Sequence, residues 1–176
     1  MKRISILSRS ALSTVVLFWC ALSTLPMSAQ VAAKNKANKD TQSYRYEIEC
    51  AGNAQPGSYL VKVWSYSKKK AVAENQCRKN AVHGVLFKGF GGGDGCIAQR
   101  AIIPNAGVED ANRIYFDRFF AEGGEFMKYA SIVGGTMETV KVGKEYKVGN
   151  VVNVRKDELR KAMEDAGIIK SFNAGF

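Results

Sequence analysis

The sequence predicts an α+β fold in which two to three helices pack on a mainly antiparallel sheet, in the order β-β-α-β-α-β-β-α. Apolar and polar residues alternate strictly over residues 44–50, as in a half-buried strand. Apolar residues recur four positions apart over residues 68–87, and a second amphipathic stretch covers residues 155–167; both patterns are typical of helices. A chain of 176 residues has room for one ordinary domain, which excludes two full enzyme domains.

Residues 1–30 have the pattern of a signal peptide. Lys2, Arg3 and Arg9 precede an apolar stretch at residues 11–25, Pro26 interrupts it, and Ser28-Ala29-Gln30 supplies small residues for cleavage. The uncharged core of about 16 residues is shorter than the roughly 20 that a membrane-spanning helix needs, so an uncleaved anchor is the less favoured alternative. Cys20 follows the bulky Trp19, which argues against a lipid anchor there.

Cleavage after Gln30 would leave a basic chain with a formal charge of +7, since three of the cationic residues behind the total of +10 are lost. Residues 31–43 are polar, rich in lysine and without periodicity, so we predict a flexible leader there. The single domain is then expected to cover residues 44–176. No membrane span is expected after cleavage.

The first half of this domain is expected to form a hairpin followed by a helix. Strands are predicted at residues 44–50, with Cys50 facing the core, and at residues 58–66, with turn-forming residues between them. The helix at residues 68–87 carries its apolar stripe on Ala73, Cys77, Ala81 and Val85, and Ser67 is a candidate N-cap.

The second half begins with a glycine-rich loop at residues 88–95. No Lys-Ser or Lys-Thr pair follows the loop, so it does not match a phosphate-binding loop. A strand is predicted at residues 96–103 and a helix at 108–121, with Glu109 and Asp110 in its first turn. Strands follow around 128–133, 138–142 and 144–154, which adds one strand to the order given above, and a helix at 155–167 completes the chain.

Three cysteines remain after cleavage: Cys50, Cys77 and Cys96. In an oxidising compartment they allow one internal disulfide and leave one cysteine over. The predicted core-facing positions favour Cys50 with Cys77, and Cys77 with Cys96 is the alternative. No short Cys-x-x-Cys spacing indicates a metal site or a redox dithiol, so neither metal nor cofactor is expected.

His83 is the only histidine. It lies six residues from Cys77 on the same predicted helix, about 240° around the axis, so these two cannot pair within the helix. A cysteine-dependent hydrolase would require His83 to meet Cys50 or Cys96 through the fold. The simpler interpretation is a partly buried helix histidine.

A group of basic residues gives the candidate binding surface. Its members surround or lie on the first predicted helix: Lys68, Lys69, Lys70, Arg78, Lys79 and Lys88. Such a stretch could bind an anionic polymer, lipid headgroups or an acidic partner protein, although a solvated basic face is the simpler alternative. Nucleic acid is not expected as a partner, because the signal peptide directs the protein out of the cytoplasm.

Two parts of the sequence resemble small exported α+β domains of outer-membrane lipoproteins and flagellar accessory proteins. The first is the strand-helix unit at residues 58–90, with Ala71, Ala73 and Ala81 in its helix. The second is Tyr146-Lys147-Val148 followed by Asp157-Glu158-Leu159-Arg160-Lys161. Ser28-Ala29-Gln30 resembles export signals common in Bacteroidetes. The chain departs from this group in having three mature cysteines and no lipobox.

The resemblance implies a non-enzymatic assembly or scaffold module. Together with the signal peptide and the lack of a coherent catalytic set, it leads us to expect an exported cell-envelope protein that binds a protein or polymer partner. The expected location is the periplasm, the outer membrane or the cell surface. The two alternatives are the cysteine-dependent hydrolase using His83 and a binder of anionic polymers or membrane surfaces through the basic helix.

Overall fold

The computed structural model describes residues 27–93, 95–105 and 107–171 and has the predicted α+β class. Most of the predicted signal peptide lies outside the described residues. A five-stranded antiparallel sheet is packed against helices. The main elements in chain order are α1 (Met27–Gln42), β1 (Glu47–Cys50), β2 (Tyr59–Ser67), α2 (Lys70–His83), α3 (Gly107–Ala111), α4 (Arg113–Phe119), β3 (Ala130–Ile132), β4 (Glu138–Val142), β5 (Glu145–Val154) and α5 (Lys156–Asp165).

The centre of the sheet is the pair β2 and β5, which are in register from Tyr59 opposite Val154 to Ser67 opposite Tyr146. β1 flanks β2, while β3 and β4 both pair with β5. Alternate residues of β2, among them Val61 and Val63, are fully buried, as expected for a strand with one covered face. The predicted hairpin of the first two strands is confirmed by the antiparallel β1–β2 pair.

Residues 31–43, for which the sequence predicted a flexible leader, belong almost entirely to the regular helix α1. Ala33 and Ala37 pack on Val72 of α2 in a small apolar cluster. Lys36 and Arg45 each form ion pairs with both Asp40 and Glu145, which ties the end of α1 to the start of β5. The prediction was wrong because it considered only the polar composition of the segment. Two alanines on one side of the helix are enough for close packing against α2.

The first strand begins at Glu47, three residues later than predicted, because the residues before it end α1. The backbone N–H groups of Ser43, Tyr44 and Arg45 donate to the last carbonyl groups of that helix. Tyr44 has a φ of 55°, in the left-handed region. This reverses the chain into β1.

Helix α2 carries the predicted apolar stripe, since Ala73, Cys77 and Ala81 are fully buried against the sheet. Its start differs from the prediction: Lys69 is the N-cap residue. Ser67 is instead the last residue of β2, and its hydroxyl accepts a hydrogen bond from the Lys69 N–H. The helix continues into a π-helical turn, Gly84–Lys88, where any side chain at Gly84 would collide with Ile48.

The predicted strand at residues 96–103 is wrong. This segment forms only isolated bridges, Phe90 with Gln99 and Gly93 with Cys96. Further on, the N–H groups of Ile102 and Ile103 donate to carbonyl groups of the π-helical turn. The helix predicted at 108–121 is present as two short helices, α3 and α4, and the C-terminal strands and α5 lie where the sequence placed them. No helix in the described part of the chain is both long and apolar enough to cross a bilayer.

Candidate functional site

The disulfide joins Cys50 to Cys96, and Cys77 is free and buried. Both pairings weighed from the sequence, Cys50 with Cys77 and Cys77 with Cys96, are therefore wrong. The Cys77 thiol lies over the middle of the sheet and donates to the carbonyl oxygens of Val63 and Val148. Burial raises the pKa of this thiol, which opposes a role as a nucleophile.

His83 is buried and both of its ring nitrogens have partners other than a thiol. Nδ1 lies 2.8 Å from the Tyr46 phenol oxygen, and Nε2 lies 3.1 Å from a carboxylate oxygen of Glu109. A carboxylate accepts, so Nε2 carries a proton, and in the neutral ring Nδ1 then accepts from the phenol. The Tyr44 phenol donates to the other oxygen of that carboxylate. These contacts link α3 to the end of α2 and to the residues just before β1, which gives the imidazole a structural role.

The six basic residues of the predicted binding surface are separated by the fold. Lys68, Lys69 and Lys70 are exposed around the start of α2. Lys88 donates to the carbonyl oxygen of Tyr46 over 2.9 Å, and its ammonium lies over the ring of the same residue. Arg78 and Lys79 instead line a cleft on the other side of α2 from the sheet.

This cleft, which we call the α1–α2 cleft, lies between α1, α2 and the segment at residues 122–127. Its volume is about 300 Å³, the lower end of the range for small-molecule pockets. Cationic and apolar side chains share its walls, among them Lys34, Val72, Arg78, Lys79, Phe126 and Met127.

Lys79 is the unusual residue of the α1–α2 cleft. It is only 9% exposed, yet its ammonium group has no described carboxylate within 4 Å. It donates to the side-chain oxygen of Asn38 over 2.7 Å and lies 5.7 Å from the centre of the Phe126 ring. Burial lowers the pKa of Lys79 to about 8, and the more distant charge of Glu122 opposes this shift.

The rim of the cleft carries an exposed ion pair between Lys34 and Glu122, 2.6 Å apart. Lys34 holds the pKa of the Glu122 carboxyl below its usual range. Arg78 forms no ion pair within the described chain, and its buried Nε has no hydrogen-bond partner there. The walls therefore carry three cationic groups against a single carboxylate.

A buried polar network holds the two helical walls together. Gln76 donates to the Thr41 hydroxyl and to the carbonyl oxygen of Ala37, and the Thr41 hydroxyl also donates to Asn80. Asn80 in turn donates to Ser65 of β2 over 2.8 Å. Because these groups are satisfied within the protein, the position of α1 beside Lys79 is well specified.

The sequence identified Arg78 and Lys79 by charge, but it did not identify the rest of the cleft. Lys34 and Asn38 were missed because α1 was not recognised as a helix. Glu122 and Phe126 lie on either side of a double glycine far along the chain, and no local pattern connects them to α2. The α1–α2 cleft is a product of tertiary packing.

Within residues 27–93, 95–105 and 107–171, no three His, Cys, Asp or Glu side chains are grouped so as to hold a metal ion. Comparisons of the chain with protein families, with curated proteins and with solved structures found no match.

Proposed function

We propose that this protein is an exported, non-catalytic binding module of the cell envelope, and that its α1–α2 cleft receives an anionic group at Lys79. The observation that carries the proposal is Lys79, a residue only 9% exposed whose ammonium group contacts Asn38 and no carboxylate of the described residues. Burying a charge without a counter-charge destabilises a fold. A bound anion would supply the missing counter-charge and offset this cost.

Two features support export. Residues 1–30 have the charge and apolar pattern of a signal peptide, and the Cys50–Cys96 disulfide is typical of proteins that fold in oxidising compartments. Cleavage after Gln30 would remove the first turn of α1, Met27 to Gln30, and leave its packing residues Ala33, Ala37 and Thr41, which all follow that position.

The alternatives receive less support from the geometry. A cysteine-dependent hydrolase needs an accessible thiol beside an imidazole, and the sequence left Cys50 and Cys96 as the thiols for that role. These two are joined in the disulfide, and the remaining Cys77 is buried over the sheet. The imidazole of His83 contacts Tyr46 and Glu109 instead of a thiol. Binding of an anionic polymer through the basic helix would use Lys68, Lys69 and Lys70, which are exposed and separate from the cleft. The test below distinguishes this surface from the α1–α2 cleft.

The test is an NMR titration of the ¹⁵N-labelled secreted chain with sodium phosphate, sodium acetate, sodium octanoate and dextran sulfate. We expect a small anion to shift the amide signals of Asn38, Lys79 and Phe126. Lys79→Gln should weaken that binding by about tenfold, the effect of losing roughly one charge-assisted hydrogen bond. Lys69→Gln, the same change at an exposed lysine, should leave it unchanged.

Two results would overturn the proposal. In one, dextran sulfate shifts the signals of residues 68–70 and Lys69→Gln, rather than Lys79→Gln, abolishes the effect. In the other, none of the anions shifts the amides around the cleft at concentrations up to tens of millimolar.

A further inference from the structure

The α1–α2 cleft has an apolar wall directly beside its cation. The Phe126 ring packs in the core with one face towards the Lys79 ammonium, and Val72 lines the same cleft. Met127 lines the same cleft and remains 42% exposed, although methionine is a residue type that is usually buried. A ligand with both a charge and an apolar part would cover this surface, whereas an inorganic anion would not.

Glu122 is the one carboxylate among the described residues that line the cleft, and it pairs with Lys34 rather than with Lys79. Its contact with the protein is the ion pair with Lys34, and its side chain is 81% exposed. Exposed ion pairs of this kind contribute little to stability. A ligand carboxylate that takes the place of the Glu122 side chain at Lys34 therefore loses little free energy by breaking this pair.

We propose that the α1–α2 cleft binds a small amphiphilic carboxylate, whose charged group displaces Glu122 from Lys34 and approaches Lys79 while its apolar part lies on Phe126 and Met127. This deepens the proposed function and rests on it. The cleft volume of about 300 Å³ limits the ligand to a short acyl chain or a single ring rather than a diacyl lipid.

Three probes separate charge from apolar contact: sodium octanoate carries both, sodium acetate carries the charge, and 1-octanol carries the chain. We expect octanoate to bind at least about tenfold more tightly than either, because burial of several methylene groups adds to the charge contact. Binding is followed by the amide shifts of Lys79 and Phe126.

Two substitutions test the two halves of the ligand. Glu122→Gln removes the competing carboxylate and should strengthen octanoate binding by about threefold, within the range for an exposed ion pair, without changing 1-octanol binding. Met127→Ser should weaken octanoate binding several-fold. Met137→Ser is the matched control, since Met137 is 43% exposed and does not line the cleft.

Failure of this inference can be told apart from failure of the proposed function. If acetate binds at Lys79 as tightly as octanoate, the amphiphile is wrong while the anion site stands. If 1-octanol equals octanoate, or if Glu122→Gln weakens octanoate binding, the exchange of carboxylates is wrong. If no anion shifts the cleft amides, both proposals are wrong.

Discussion

The two sides of helix α2 are built from different chemistry. The side facing the sheet is apolar: Ala73, Cys77 and Ala81 belong to the main core. The side facing α1 combines a small cluster at Val72 with hydrogen-bonded Gln76 and the buried cation of Lys79. We infer that the first side provides most of the stability, and that the second lowers stability because it buries the charge of Lys79.

Removal of the disulfide, which lies on the sheet side of the molecule, should cause the largest loss of stability. Cys50–Cys96 closes a loop with a sequence separation of 46, so its removal in a Cys50→Ala/Cys96→Ala variant should lower the free energy of unfolding by about 4 kcal/mol. The measurement is urea denaturation of the secreted chain. Cys77→Ala, which keeps the disulfide, is the control and should lose much less; equal losses would contradict the prediction.

A matched pair of substitutions on α2 compares its two sides directly. Val82→Ala, in the main core, should cost about 2 kcal/mol of unfolding free energy, because it removes two buried carbons and leaves a cavity. Val72→Ala, in the small cluster, should cost less than about 1 kcal/mol, because α1 can settle onto the shortened side chain. Both changes alter helix propensity equally, so denaturation midpoints that shift by the same amount would refute the comparison.

Replacing the buried cation should stabilise the protein. The pKa of Lys79 is lowered to about 8 from 10.5, so the folded state disfavours the charged form at neutral pH. Lys79→Met should raise the unfolding free energy at pH 7 by about 1.5 kcal/mol, after allowance for the lost contacts with Asn38 and Phe126.

The sign of the pH dependence follows from the same shift. Between about pH 8 and 10.5 the unfolded wild-type chain binds more protons at Lys79 than the folded chain, so wild-type stability gains from this group as pH rises. The advantage of Lys79→Met should therefore shrink over that interval. Thermal unfolding measured from pH 7 to 10 checks it, and an advantage that grows with pH would show that Lys79 is stabilising.

The smallest expected effect is local. Since α1 is held by two alanines, a short polar network and partly exposed ion pairs, its amides should exchange with solvent at lower opening free energies than those of β2 and β5. Native-state hydrogen exchange over residues 31–42 measures this. Protection of α1 equal to that of the central strands would mean that the cleft wall belongs to the main folding unit.

Local pattern predicted much of the fold. Alternation located β1 and β2, the four-residue apolar spacing located the buried side of α2, and β4 coincides with the predicted strand at 138–142. The strand predicted from local pattern at residues 96–103 is absent, because backbone N–H groups of this segment form hydrogen bonds with the π-helical turn instead of with a neighbouring strand. The prediction of a flexible leader from composition was wrong for α1, because alanine packing and the ion pairs of Asp40 and Glu145 order this polar segment.

By itself, the sequence determined the α+β class, the central strands, the sheet-facing side of α2 and the two cations Arg78 and Lys79, because periodicity and charge are properties of neighbouring residues. The tertiary structure decided that Cys50 bonds Cys96, that α1 docks on α2, and that Lys79 is buried beside Phe126 near Glu122. These features depend on distances between residues far apart in the chain, which only packing sets.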